Sequence, residues 1–84
     1  MNSKHRKTLA AVFRILVAAT IAWADIEALL VAVGCTTIEG RGSRVRFARG
    51  EEVESFHRPH PAKEAKRYQV EAAKGFLIRL GVQP

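Results

Sequence analysis

The spacing of the apolar residues changes twice along this chain, and that change decides the class of fold. Between residues 22 and 33 apolar side chains recur every three or four positions, as on one face of a helix, and Gly34 follows as a typical helix stop. Residues 43–48 alternate between polar and apolar, which is the period of a half-buried strand, and the helical period returns over Tyr68–Leu80. A chain with both periods predicts an α+β domain. The apolar positions of the two helices are Trp23, Ile26, Leu30 and Val33, then Val70, Ala73, Leu77 and Leu80.

Glycines and prolines mark where the strands begin and end. A β-branched run after the first helix predicts one strand, and Gly40–Gly42 separates it from the next. Arg49-Gly50 predicts a hairpin tip, after which Glu52–Arg58 returns as a third strand. Pro59 and Pro61 then prevent further ladder pairing. The predicted fold is a small α-β-β-β-α domain with a short antiparallel sheet and an extra helical arm before it.

The arm combines a basic start with a long apolar run. Four residues from Lys4 to Lys7 precede Leu9–Ala24, which imitates a signal peptide. Arg14 interrupts that run and would cost about 2.5 kcal/mol or more near a bilayer centre. The pattern therefore favours a helix packed on the domain or on a partner, with secretion or membrane tethering as the alternative. We predict an arm over residues 1–20, a domain over residues 21–82 and no membrane partner. The apolar face of the arm would carry Leu9, Val12, Phe13, Leu16 and Val17.

Size and charge narrow the choice of partners. The chain has 84 residues, room for one small domain, and its 14 Lys and Arg against 8 Asp and Glu give a net charge of +6. Such a charge favours a polyanion, first of all nucleic acid, over an acidic protein or a membrane surface. Because small domains are only modestly stable, we expect oligomers chiefly in complex with a partner. Cys35 is the single cysteine, which suits a reducing, cytoplasmic location and excludes a cysteine-based zinc site.

The alternation of the strands predicts an open cationic face on the sheet. If Arg49-Gly50 forms a two-residue loop, Val45, Phe47 and Phe56 point to one side, where helices would cover them. Arg44 then faces Ser55 across the sheet, and His57 faces Gly42. This register also places Glu52 and Glu54 on the covered side, where an unpaired carboxylate is costly. The side chains predicted on the open face are Arg44, Arg46, Ser55 and His57.

Arginines and histidines are the side chains of this chain that suit ligand binding and catalysis. Four arginines fall within residues 41–49, and the donor fork of guanidinium matches phosphate; the alternative is a solvated strand face balanced by nearby glutamates. Gly40–Ser43 is weak as a phosphate-binding loop because the strand-to-helix setting is missing. His57 and His60 have no convincing third ligand, so we predict no metal site.

Four short motifs follow one another along Trp23–Val82. They are the helix Asp25–Leu30 closing at Gly34, Gly42-Ser43 opening a strand, His60-Pro61-Ala62-Lys63-Glu64 after the last strand, and a closing helix with Leu80-Gly81-Val82. In this order the segment resembles the HicA toxins, the mRNA interferases of type II toxin–antitoxin pairs. The resemblance implies a fold similar to double-stranded-RNA-binding domains, cleavage of mRNA without a metal or other cofactor, and neutralisation by a HicB antitoxin encoded beside the toxin.

One position departs from the family pattern. HicA toxins usually carry Gly-Ser-His at the opening of this strand, and that histidine is held to be catalytic, whereas this chain reads Gly42-Ser43-Arg44. The catalytic role of the family's histidine therefore does not carry over to residue 44. Other groups have to supply the chemistry.

We predict a toxin that cleaves RNA through the ribose 2′-OH, which RNA itself supplies as the nucleophile. Such a reaction needs a base, cations for the phosphorane and an acid for the leaving 5′ oxygen. His57 is the predicted base, Arg44 with Arg46 the cations, and His60 the acid. A non-catalytic RNA- or antitoxin-binding module is the alternative. The residues predicted to contact RNA are Arg41, Ser43, Arg44, Arg46, Arg49 and Lys63.

Overall fold

A computed structural model describes residues 1–14 and 20–84. The described elements run in the order α-α-β-β-β-α, which confirms the predicted α+β class. For the strands and the two later helices, the predicted boundaries hold to within a residue or two: the third strand ends at His57 rather than Arg58, and the last helix begins one residue early. The elements are α1 (Ser3–Val12), α2 (Trp23–Ala32), β1 (Thr36–Glu39), β2 (Arg44–Arg49), β3 (Glu52–His57) and α3 (Arg67–Arg79).

The three strands form one antiparallel sheet in the order β1-β2-β3. On one face, Val45, Phe47 and Phe56 are buried against the helices, as the alternation predicted. Phe56 packs its ring on both Trp23 and Phe47, with centroids 5.2 and 6.1 Å apart. The opposite face of the sheet stays exposed. The buried core is completed by Leu9, Val12, Ile21, Ile26, Leu29, Leu30, Cys35, Val70, Ala73, Phe76 and Leu77.

The register of the β2–β3 hairpin differs from the predicted one by two residues. Arg44 lies opposite His57, not opposite Ser55, and the prediction that His57 faces Gly42 was wrong. Ser55 instead lies opposite Arg46. Because side chains alternate with period two, a shift by two residues leaves every side chain on its predicted face.

The turn explains this correction. Gly50 and Glu51 form it, with Arg49 opposite Glu52. Gly50 has a φ of 61°, and no other type of residue in the described part of the chain has a positive φ. This matches a type II′ turn, in which glycine takes the first central position. A turn centred on Arg49-Gly50 would put arginine at that first position, which requires positive φ in both common two-residue turns.

A helix residue resolves the problem of the two glutamates on the covered side. Arg79, in the last turn of α3, binds Glu52 through Nε at 2.8 Å and Glu54 through Nη2 at 3.0 Å. The two carboxylates raise the pKa of Arg79 through these hydrogen bonds. A positive charge also suits the carboxyl end of a helix. Glu52 and Glu54 are therefore paired at the rim of the core rather than buried alone.

The first helix packs on the other two helices. Leu9 and Val12 are 3% and 1% exposed and belong to the same core as the sheet. Asn2 caps the helix by accepting a hydrogen bond from the amide of His5. The predicted contacts of Leu16 and Val17 lie outside the described residues. Within the described ranges, no helix has the length and apolar character needed to cross a membrane.

Truncation of Leu9 should show whether α1 contributes to stability. We expect Leu9→Ala to lower the free energy of unfolding by about 2–5 kcal/mol, since a buried leucine is replaced by a cavity. Ala10 is exposed on the same helix, and Ala10→Gln, the matched control, should change stability by less than about 0.5 kcal/mol. Urea unfolding followed by Trp23 fluorescence measures both. Equal midpoints for the two variants would mean that α1 is detached in solution.

Candidate functional site

A concave site of about 410 Å³ lies on the open face of the sheet, at the end where β2 begins and β3 ends. The loop between β1 and β2 forms one wall. Five of its eight lining residues have polar or cationic side chains, and six of the eight belong to β2 and β3. The lining residues are Gly40, Arg41, Arg44, Val45, Arg46, Ser55, Phe56 and His57.

The centre of the site is the cross-strand pair of Arg44 and His57. The amide of Arg58 donates to the carbonyl of Ser43 at 2.8 Å, so the neighbouring pair of residues is hydrogen-bonded. Antiparallel pairs alternate, and Arg44 and His57 are therefore the closely spaced, non-bonded kind, with Cα atoms about 4.5 Å apart. Both side chains are exposed and leave the sheet on the same face. An anion held by the guanidinium therefore lies within reach of the imidazole.

The next pair along the same face adds a second cation and a hydroxyl. Arg46 lies opposite Ser55, and each is two residues from a member of the central pair. Two residues along a strand correspond to about 7 Å. The open face thus carries two guanidiniums in line on β2, with an imidazole and a hydroxyl in line on β3.

The loop before β2 places a third guanidinium beside this row. The amide of Gly40 donates to the carbonyl of Arg44 at 2.9 Å, and the amide of Arg44 donates to the carbonyl of Arg41 at 3.1 Å. A Cβ on Gly40 would come within 3.0 Å of the Arg44 Cβ, and Gly42 has a φ of 59°, so the tight loop depends on both glycines. This is what brings Arg41 to the wall of the site.

In the part of the chain that the structure describes, no carboxylate pairs with the three arginines of the site. Among the described residues, the ion pairs of arginine involve only Arg58 and Arg79. Arg41, Arg44 and Arg46 are exposed and leave their donors toward solvent. The site therefore offers several donors with geometry suited to phosphate or carboxylate oxygens.

Arg58, which the sequence analysis did not single out, fastens the end of β3 to two other elements. Its Nε and Nη1 lie 2.7 Å from carboxylate oxygens of Glu27 in α2 and Glu39 at the end of β1, respectively. Each carboxylate also accepts from Nη2, at 3.2 and 2.9 Å. These hydrogen bonds raise the pKa of Arg58 and lower the pKa of Glu39. The residue next to His57 is thus held from both sides.

Buried Gln69 fixes the backbone of His57 from the helix layer. Its Nε2 donates to the His57 carbonyl at 2.5 Å, and its Oε1 accepts from the amide of Lys66 at 2.7 Å. Gln69 is 2% exposed and stands in the first turn of α3. A lone polar residue on an apolar helix face was the signal available in the sequence, but its partner twelve residues away was not.

The other residues predicted for the site lie outside its lining. Ser43 is exposed next to Arg44, and its carbonyl is used by Arg58. His60 and Lys63 are exposed in the loop between β3 and α3. Arg49 stands at the far end of β2, about 17 Å along the strand from Arg44, and its Nη1 donates to the carbonyl of Val33 at 3.2 Å.

Within residues 1–14 and 20–84 the structure holds no group of three or more His, Cys, Asp or Glu side chains that could bind a metal ion. Cys35 is buried at the start of the sheet, and burial raises the pKa of its thiol. A raised pKa disfavours the thiolate, so Cys35 is a packing residue rather than a nucleophile.

Comparison with known proteins finds a protein family whose model matches this chain. A family model described as the HicA toxin of bacterial toxin-antitoxin matches residues 23–82 of the 84-residue chain. No curated protein and no solved structure matches the chain. The matched segment begins with α2 and ends after α3, so it contains the sheet and the whole site and leaves α1 outside.

Proposed function

The chain belongs to the HicA toxin family, whose members pair with antitoxins, and on this premise we propose that it is an endoribonuclease that cleaves mRNA in the cytoplasm and is neutralised by a HicB-type antitoxin. One observation carries the proposal. Three arginines that have no carboxylate partner among the described residues line the same concave site as an exposed imidazole, on the open face of the sheet. That arrangement provides phosphate recognition next to a proton acceptor.

The proposed reaction uses the ribose 2′-OH of the RNA as nucleophile. His57 takes the 2′ proton, the 2′ oxygen attacks the adjacent phosphorus, and the bond from phosphorus to the 5′ oxygen breaks. Arg44 and Arg46 stabilise the negative charge that develops on the phosphorane oxygens. The products are a 2′,3′-cyclic phosphate and a 5′-hydroxyl. No oxidant, reductant or further reactant is needed.

The leaving 5′ oxygen needs a proton, for which His60 stays our proposed acid. Its side chain is exposed three residues beyond His57, in the loop before α3, and does not line the site. An acid outside the lining contributes less than a base at the centre. We therefore expect loss of His60 to slow cleavage less than loss of His57.

The register of the sheet supports His57 as a replacement for the histidine that HicA toxins usually carry. In this chain residue 44 is arginine, and the residue directly opposite it is His57. Directly opposed residues on one face have Cβ atoms about 4.5–5.5 Å apart. An imidazole is therefore present at nearly the same place on the open face, supplied by the neighbouring strand.

A second function from a different class is favoured by the same substitution. Arg44 in place of histidine is what a toxin that has lost catalysis would carry, since the arginine keeps phosphate affinity and removes a base. Such a protein would be a non-catalytic RNA- or antitoxin-binding module. It would bind RNA with the affinity of the active toxin but leave the RNA intact.

Growth of bacteria that express the protein separates the two functions. An active toxin should arrest growth when expressed alone, and co-expression of the HicB-type antitoxin encoded beside it should restore growth. Arrest should disappear in the His57→Ala variant expressed to the same level. Normal growth with the unmodified protein at that level would favour the passive module and contradict the proposed function.

A further inference from the structure

A second group of positive charges lies outside the proposed catalytic site, at the start of the chain. Residues 1–14 contain four of the 14 Lys and Arg and none of the 8 Asp and Glu, so they hold four of the six net positive charges. Residues 20–84 contain ten basic and eight acidic side chains and are nearly balanced. The helix α1, which carries most of this excess, also lies outside the segment that the family model matches.

These charges are not explained by the stability of α1. Arg6 and Lys7 stand in the first two turns, and no acidic residue is present in the first turn. The amino end of a helix has a partial positive charge, so basic side chains there disfavour the helix. Lys4 is compensated by Asp25 of α2 at 3.5 Å, whereas Arg6 and Lys7 form no ion pair with any described residue. Both are exposed.

A short series of contacts links the start of α1, in the helix layer, to the strand that carries His57. Lys4 reaches Asp25 in the first turn of α2. Trp23, at the start of that helix, packs on the ring of Phe56 on the covered face of the sheet, and the next residue along β3, His57, is exposed on the open face. The amide of Trp23 also donates to the carbonyl of Lys63, so a further exposed lysine lies beside the start of α2.

We propose that α1 is a second RNA-binding surface, through which Arg6 and Lys7 hold the backbone of a strand whose scissile phosphate lies in the site on the sheet. The proposal rests on the proposed function. RNA fits better than an anionic membrane, because an interfacial helix inserts its apolar face into lipid, while Leu9 and Val12 of α1 are buried in the protein's own core. The molecule measures 31 × 31 × 20 Å, and about nine stacked nucleotides at 3.4 Å each span either of its two longer dimensions.

Binding of RNAs of two lengths to the Arg6→Gln/Lys7→Gln variant tests this surface. The probes are uncleavable 2′-O-methyl oligonucleotides of 4 and 20 nucleotides. At 0.15 M salt we expect the 20-mer to bind on the order of ten-fold more weakly, and the slope of log affinity against log salt to fall by about 1.4, for two lost phosphate contacts. Affinity for the 4-mer should not change, because a tetranucleotide fills the sheet site without reaching α1.

Ala10→Gln is the matched control, since it changes an exposed position of the same helix without changing the charge. It should bind both probes like the unmodified protein. Equal affinity of the double variant and the control for the 20-mer would overturn the proposal, as would a loss confined to antitoxin binding or to binding of phosphatidylserine vesicles. Failure of the proposed function looks different, because the unmodified protein would then leave ordinary RNA uncleaved whatever the state of α1.

Discussion

Replacing His57 by alanine should slow RNA cleavage by about 10²–10⁴-fold, the usual effect of losing a general base. RNA affinity should change by less than about threefold, because the arginines that hold phosphate stay in place. The fold should also survive, since the His57 side chain is exposed and its structural contact is made by the backbone carbonyl to Gln69. Single-turnover cleavage and direct RNA binding, measured on the same preparation, separate the two effects.

His60→Ala is the matched control for that measurement, because it removes a second exposed histidine only three residues away. We expect it to slow cleavage less than His57→Ala. The competing explanation places catalysis at residue 44. If Arg44→His raised the rate while His57→Ala left it unchanged, the protein would be a degenerate toxin and His57 would not be the base.

Arg44→Ala should lower the cleavage rate by about 10²–10³-fold and weaken RNA binding as well. The guanidinium contacts the phosphate both before and during the reaction, and removal of one donor that stabilises transition-state charge has an effect of this size. Both kcat and KM should therefore change, in contrast to His57→Ala, which should change mainly kcat.

Arg49→Ala is the control with the same change of charge on the same strand. Arg49 stands at the other end of β2, where its guanidinium donates to the Val33 carbonyl rather than lining the site. At saturating RNA, cleavage by this variant should stay within about threefold of the unmodified protein, because Arg49, although predicted to contact RNA, does not line the site. Equal losses for Arg44→Ala and Arg49→Ala would show that net charge, and not the geometry of the site, determines activity.

The spacing of apolar residues in the helices and the alternation of side chains along the strands were enough to predict the fold and to identify the side chains on the open face. The helical stripe ending at Gly34 and the alternation around Val45 and Phe47 depend on local spacing alone, and both were predicted correctly. The hairpin register was not, because Gly50 was placed at the second rather than the first position of the turn. The error was an even number of residues, so the open face kept its side chains while His57 moved from diagonal to directly opposite Arg44.

The contacts that hold the site in place were beyond prediction from the sequence. Arg58 reaches carboxylates 31 and 19 residues away, and Arg79 reaches carboxylates more than 20 residues away. Such partners depend on how the helices pack on the sheet, and the spacing of apolar residues in the sequence does not determine that packing. The composition of the chain gives the totals of eight acidic and 14 basic residues. It does not predict that three arginines of the site have no carboxylate partner among the described residues.

The most direct test is cleavage of RNA by the purified protein, freed of antitoxin, in the presence of a metal chelator. We expect a 5′-labelled RNA to be cut into fragments that end in a 2′,3′-cyclic phosphate, and a single 2′-deoxyribose at the scissile position to abolish the cut, since it removes the nucleophile. Intact RNA after prolonged incubation with folded protein, or cleavage that persists at the 2′-deoxy position, would contradict the proposed reaction.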